Sequence, residues 1–210
     1  MKKGIIFDLD GTLWDSSKQV VEAWNRALAK HPELKKQISL KEIQGFMGRT
    51  MPQIAALMFP DMAEEKRAAI LDECCDEEQV YLLKHGGILY PYLEEVLGRL
   101  KDKYGLYIVS NSQDGYVQAF LEYHHMSSYF EDYEMAGRTG KCKGENIKLV
   151  MERNNLEQAV YMGDTQGDLD AADLAGIPFI LADYGFGSVD RKTYTVEKFS
   201  DLEELIGHIL

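Results

Sequence analysis

Residues 4–7 read Gly-Ile-Ile-Phe, an apolar run that ends abruptly in Asp8, with Asp10 and Asp15 close behind. A short, wholly apolar run of this kind reads as a strand buried on both faces. Carboxylates at the end of such a strand are expensive, because ionised acids this close repel and each raises its neighbour's pKa. A loop that merely returned to solvent could use Ser or Asn there. The acids therefore call for something that offsets their charge, and a metal ion is the usual candidate.

The rest of the chain has two textures. From about Lys18 to His85 apolar residues recur at helical spacing, and no strand is convincing. Ser39 with Glu42 three residues on reads as a capping box. Gly45 and Gly48, on either side of Phe46-Met47, read as a loop. After Gly86-Gly87 strands and helices alternate. Apolar strands are expected at 105–112, 159–165 and 177–185, with shorter ones at 129–137 and 193–196. Helices are expected at 92–103, 115–125, 145–155 and 168–176, and from Ser200, where Glu203 completes a second capping box. Such alternation predicts an α/β fold, a parallel sheet with helices on both faces, carrying an inserted all-helical block. Ligands of these sheets sit at the carboxyl ends of the strands. Three strand ends carry polar residues: Asp8 to Asp10, Ser110-Asn111, and Asp164 to Asp168. The helical insert stands over that same end.

Composition narrows the partners. The net charge of -12 over 210 residues argues against nucleic acid or an anionic membrane surface. An anionic small substrate remains compatible, since a bound cation reverses the local sign. No apolar stretch is long enough to span a bilayer. Three cysteines, two of them the adjacent Cys74-Cys75, form no disulfide framework, so a cytoplasmic location is expected. No obligate protein partner is implied.

Two protein carboxylates, a carbonyl and a substrate phosphate suit Mg²⁺, which prefers near-octahedral oxygen ligands. Ser110 can donate to a phosphate oxygen, and a lysine before the helix near Glu145 can add a cation. With these residues in order, the chain resembles the haloacid dehalogenase-like hydrolase superfamily, near its phosphoglycolate phosphatase-like and β-phosphoglucomutase-like branch with a helical cap. DLDGT at 8–12, Ser110 in IVSNS, Lys143, and GDTQGD at 163–168 match the four family motifs in sequence. Lys141 lies two residues from Lys143, which is preferred because a Gly and a helix start follow it.

The resemblance implies a Rossmann-like core formed by residues 1–15 and 87–210 and a cap formed by 16–86. It implies Asp8 as nucleophile and Asp10 as general acid, then base. It implies Ser110 and Lys143 as phosphate-binding residues; Asn111 beside them reads either as a further phosphate-binding residue or as a loop residue that shapes the strand end. Mg²⁺ is implied as cofactor, held by Asp8, Asp10 through its carbonyl, Asp164, and Asp168, the last through water or as a partner of Lys143. The activity implied is hydrolysis of a small phosphorylated metabolite through an aspartyl-phosphate. A phosphomutase is the alternative, and a non-catalytic binding protein on the same core a third reading. Arg49, in the cap's glycine-flanked stretch, is expected to read the untransferred part of the substrate and to favour a second anion there.

Other conspicuous residues have plainer readings. Asp15 reads as a helix cap, Asp170 and Asp173 as a solvated helix face, and His124-His125 as structural. Cys142 has nothing beside it that would activate a thiol. Met47, Met51, Met58 and Met62 read as cap core.

Overall fold

In the computed structural model, which describes residues 2–210, the opening apolar run is β1 (Lys3–Phe7), a central strand of a six-stranded sheet. The chain continues through β2 (Trp14–Asp15), α1 (Ser17–Leu28), α2 (Leu40–Phe46), α3 (Met51–Met58) and α4 (Glu64–His85) to β3 (Ile88–Leu89). Then come α5 (Leu93–Leu100), β4 (Gly105–Ser110), α6 (Tyr116–Tyr123), β5 (Asp132–Met135), α7 (Ala136–Thr139) and α8 (Lys143–Arg153). Last are β6 (Gln158–Gly163), α9 (Gln166–Ala175), β7 (Phe179–Ala182), β8 (Tyr194–Val196) and α10 (Leu202–Ile209).

The sheet order is β5-β4-β1-β6-β7-β8, and every neighbouring pair is parallel. Side chains alternate across a strand, so Ile5 and Phe7 serve one face of β1 and Ile6 the other. Ile5 and Phe7 join the apolar cluster built with α5, α6 and α10, while Ile6 joins the cluster built with α8 and α9. Both faces are covered, which explains why the run carries no polar alternation. From β1 the chain builds outward through β4 and β5, then returns to start β6 on the other side. The loops after β4 and β6 therefore part above the end of β1, and that reversal opens a crevice.

Residues 20–75 contribute a third, separate apolar cluster centred on Trp24, Ile43, Ile54, Leu71 and Cys74. Met58 is buried in it, and Met47, Met51 and Met62 pack against it, as the sequence implies. The two chain crossings between this cluster and the sheet pair as an antiparallel ribbon, Trp14 opposite Leu89 and Asp15 opposite Ile88. Trp14 anchors the ribbon: it is fully buried and meets Tyr116 and Phe120 edge-on at 5.8 and 5.1 Å. A Cβ at residue 87 would approach the Trp14 ring to 2.6 Å, so Gly87 is required where the second crossing passes it.

Several local expectations change. Gly45 lies inside α2, exposed with no neighbour to clash, and the helix carries it at a cost of about 1 kcal/mol. Only 47–50 form the loop. The Ser39–Glu42 capping box does form. α8 starts at Lys143 rather than near Glu145, because Cys142 is the N-cap and Glu145 accepts its N–H at 3.1 Å. The Ser200–Glu203 box does not form. The chain enters α10 through a 3₁₀ turn with Asp201 as cap, and the Glu203 carboxylate accepts from Arg99 at 2.6 Å. Asp15 accepts the backbone N–H of Ser17 at 2.9 Å from within the ribbon, while Ser16 is the N-cap of α1. His124 is packed among Trp14, Phe120 and Tyr123.

Candidate active site

The strand ends bring the acids together. Asp8 continues β1, its N–H donating to the Met162 carbonyl at 2.8 Å, and its side chain is buried. Asp164 follows β6 and Asp168 sits in the first turn of α9, both buried. One carboxylate oxygen from each of Asp8, Asp164 and Asp168 lies within 4.8 Å of the other two. Lys143, at the start of α8, donates to Asp168 at 2.5 Å and lies 3.0 Å from Asp8. It is buried, whereas Lys141 is exposed. Burial opposes the Lys143 charge, but Asp168 and Asp8 more than compensate and hold its pKa above the ordinary lysine value.

Three acids against one lysine leave excess negative charge. Burial, then Asp168, push Asp164 up to about 7. Burial, then Asp168 and Asp164 against the pull of Lys143, raise Asp8 well above the ordinary carboxylate range. One Asp164 oxygen accepts from Phe186 N–H at 2.7 Å, while Oδ1 is buried without a partner. Gly11, at φ +77°, is needed here, because a Cβ would lie 2.2 Å from Asp164 Oδ2. An orphaned carboxylate oxygen in a buried acid cluster is a donor set that fits a hard dication.

Asp168 has a double duty that the sequence only half reveals. Its Oδ2 accepts from the N–H and hydroxyl of Thr165, at 3.0 and 2.7 Å, and from Asp164 N–H at 3.2 Å. Its Oδ1 takes Lys143. The Thr165-to-Asp168 spacing is itself a capping signal in the sequence.

Asp10 stands apart from this cluster. Its Oδ1 accepts from Trp14 Nε1 at 2.9 Å, Ser16 Oγ at 2.7 Å and Tyr116 OH at 2.8 Å. Burial pushes its carboxyl up to about 6, against these hydrogen bonds, which favour the anion. Asp8 and Asp10 thus occupy unlike settings, one against a lysine and acids, the other in a ring of neutral donors.

A cavity of about 50 Å³ opens over both, lined by Asp8, Asp10, Ser110, Asn111 and Lys143 below and by the helical insert above. Asn111 Nδ2 donates to the Gly48 carbonyl at 2.8 Å, tying the 47–50 loop to the end of β4. Arg49 reaches the rim, exposed, with Nε donating to the Gly45 carbonyl at 3.2 Å. Glu78, on α4, is a wall residue that the motifs do not flag. It is 3 % exposed and accepts from Trp24 Nε1 and, at 3.1 Å, from Gln113 Nε2. Burial drives its carboxyl up to about 8, with Asp10 adding to the rise. One signal in the sequence marks it: Leu71, Cys75, Glu78 and Leu82 fall on one helical stripe, so an acid sits where apolar residues belong.

Residues 5–182 match the family described as haloacid dehalogenase-like hydrolase. The chain belongs to the haloacid dehalogenase-like hydrolase family. Among relatives, a phosphoglycolate phosphatase of Aquifex aeolicus is 27 % identical over 98 % of both chains. A plasmid-encoded phosphoglycolate phosphatase of Cupriavidus necator is 29 % identical over 87 % of this chain and 81 % of its own. The crystal structure of a predicted phosphatase from Clostridium acetobutylicum superposes with a TM-score of 0.81 at 25 % identity, covering 99 % of each chain. This haloacid dehalogenase-like protein is accordingly an enzyme, a phosphatase of the family with its Rossmann-like fold. Among its described residues no helix is long and apolar enough to cross a membrane.

Proposed function

We propose that this enzyme is a Mg²⁺-dependent phosphatase that hydrolyses a small phosphorylated metabolite through an aspartyl-phosphate on Asp8. The observation that carries the reading is the contrast between Asp8 and Asp10. Asp8 faces the cavity from the strand end, buried beside Lys143. Asp10 is held on one oxygen by three donors, at a pKa of about 6, where a carboxyl both gives and takes a proton near neutrality. Unlike environments for neighbouring carboxyls are how acid and nucleophile roles are divided.

In the first step Asp8 Oδ attacks phosphorus, the bond to the ester oxygen breaks, and Asp10 protonates that oxygen as it leaves. In the second, water attacks the phosphorus of the aspartyl-phosphate, its proton passes to Asp10, and Asp8 is released with inorganic phosphate. Lys143 and Ser110 hold the transferring phosphoryl oxygens, and Asn111 holds the 47–50 loop over them. Asp8, the Asp10 carbonyl and Asp164 would hold Mg²⁺, with Asp168 tethering Lys143 beside it. When bound, Mg²⁺ supplies the positive charge that lets an anionic phosphate approach a carboxylate. Residues 16–86 act as the cap and 1–15 with 87–210 as the core, a division supported by the separate apolar cluster and the paired crossings. Arg49 contacts the untransferred part of the substrate from the rim.

The test is Asp8→Asn, assayed with p-nitrophenyl phosphate and Mg²⁺. Turnover should vanish while the circular dichroism spectrum stays that of the parent and unfolding stays cooperative, because an amide does not attack phosphorus. A variant that releases phosphate at more than a trace of the parental rate removes Asp8 from the role.

A further inference from the structure

The cavity over Asp8 and Asp10 has an unbalanced hydrogen-bonding lining. Val20, Trp24, Ile43, Met51 and Ile54 make most of its wall apolar. Beyond Asp8, Asp10, Ser110 and Lys143, with Tyr116 donating to Asp10 and Arg49 exposed on the rim, its polar groups are Glu78 from α4 and the run Asn111-Ser112-Gln113 after β4. Their donors are spent. Trp24 Nε1 and Gln113 Nε2 both donate to Glu78, and Asn111 Nδ2 donates to Gly48 O. Those acceptors also fix which way each amide faces. What remains without a protein partner among the described residues is Asn111 Oδ1, Gln113 Oε1 and Ser112 Oγ, all buried. Ser112 itself is 7 % exposed. Acceptors are thus in surplus around a buried carboxyl that has no paired cation among the described residues.

A buried acceptor left unmatched carries the full penalty of its lost hydration. Several of them lining one cavity specify an occupant that brings donors. A carboxylate would face this surplus of acceptors, with only the Ser112 hydroxyl and the single proton of a neutral Glu78 to meet it. We propose that Glu78, with Gln113 and Ser112, forms a subsite that selects a leaving group carrying a hydroxyl or amino group, and rejects one carrying a second anion. The proposal rests on the phosphatase reading above. It separates this enzyme from the activity named for its phosphoglycolate phosphatase relatives, and it limits Arg49 to contacts at the rim.

A matched set of esters tests it: propyl, 2-hydroxyethyl, 2-aminoethyl and carboxymethyl phosphate, which differ in one terminal group. Hydrolysis of p-nitrophenyl phosphate is read first, and its absence brings down the phosphatase reading together with the subsite. With hydrolysis present, kcat/KM for the better of the hydroxyl and amino esters should exceed that for the propyl and carboxymethyl esters by about tenfold or more, as hydrogen-bonding sites discriminate. Glu78→Leu should collapse that ratio toward one. Glu78→Gln keeps an acceptor but cannot give up a proton to pair with an ammonium group. It should hold the preference for a hydroxyl ester and lose that for an amino ester, which tells the two donors apart and guards against misfolding of the leucine variant. A parental preference for the carboxymethyl ester, or a ratio unmoved in both variants, overturns the proposal.

Discussion

Glu78→Gln should make the protein's stability less sensitive to alkali, by an amount fixed by the burial of one carboxyl. In the fold that carboxyl is pushed from an ordinary 4.5 to about 8, first by burial. The groups that face it are Trp24 on α1, Gln113, Tyr116 and Asp10 on the core side, and Cys74 and Cys75 on its own helix. None is a cation. As pH rises through 4.5 the unfolded chain loses this proton while the folded chain keeps it until about pH 8. Glu78 therefore erodes stability across that window, by about 1.4 kcal/mol per pH unit and roughly 5 kcal/mol in all. Glutamine is isosteric and does not titrate. It can accept from Trp24, and a flip of the Gln113 amide offers its own NH₂ an acceptor. The difference in unfolding free energy, variant minus parent, should grow by about 2.7 kcal/mol between pH 5.5 and 7.5. At 210 residues that is a relative rise in Tm of about 5–11 °C. Urea unfolding followed by circular dichroism at several pH values, in metal-free buffer, reads it directly. Asp8, Asp10 and Asp164 also titrate abnormally, but in both proteins, so they cancel in the difference. Stability curves that stay parallel from pH 5 to 8 would refute the reasoning.

The acid cluster gives further expectations. EDTA should abolish phosphatase activity and Mg²⁺ restore it, and Mg²⁺ should raise the Tm of the parent but not of Asp164→Ala; a metal-free enzyme at full rate contradicts this. Lys143→Met should destabilise the apo protein by about 3–5 kcal/mol at pH 7.5, since breaking a buried ion pair strands its acids, and a loss under 1 kcal/mol in urea titrations would contradict the buried pairing. Asp10→Asn should slow both chemical steps, each by about 10²–10⁴-fold. Rapid quench with a good leaving group should show the second step hurt more, and unaltered rates would discard the proton-transfer role.

The parallel fold was legible because burial on both faces removes polar residues from β1, β4 and β6, leaving runs that only a covered sheet explains. Asp8 and Asp164 were legible because each follows such a run, whereas Lys143 was singled out over Lys141 by the family motif and not by any local run. Other features depend on contacts that no local pattern carries. The ring around Asp10 joins Trp14 and Ser16 to Tyr116, 106 residues away from Asp10 in the chain. Two-residue strands such as Trp14–Asp15 are too short to show a period. Gly45 was misread because a solvent-facing glycine weakens a helix without ending it. Ser200 and Glu203 had the spacing of a cap, but Arg99 reaches Glu203 from another helix, and tertiary charge outbid local bonding. Glu78 was visible only as an anomaly, an acid on an apolar stripe; its meaning required Gln113 across the cavity.

The ribbon of Trp14–Asp15 with Ile88–Leu89 makes the whole of 16–87 the loop of a β-hairpin. Closing a flexible loop costs only about (3/2)RT ln n in its length n, so a hairpin clamp tolerates a large insertion almost as readily as a small one. The clamp itself is held mainly from the core side, by Trp14 against Tyr116 and Phe120, with Leu82 of α4 as the insert's contribution to the same cluster. The ribbon is therefore a graft point. Joining Asp15 to Ile88 through an Asn-Gly turn should leave the sheet and its acids folded and open to solvent. A different insert spliced at the same two residues would inherit the acid cluster and Lys143, would need its own hydroxyl in place of Ser16 beside Asp10, and would bring its own walls to the cavity.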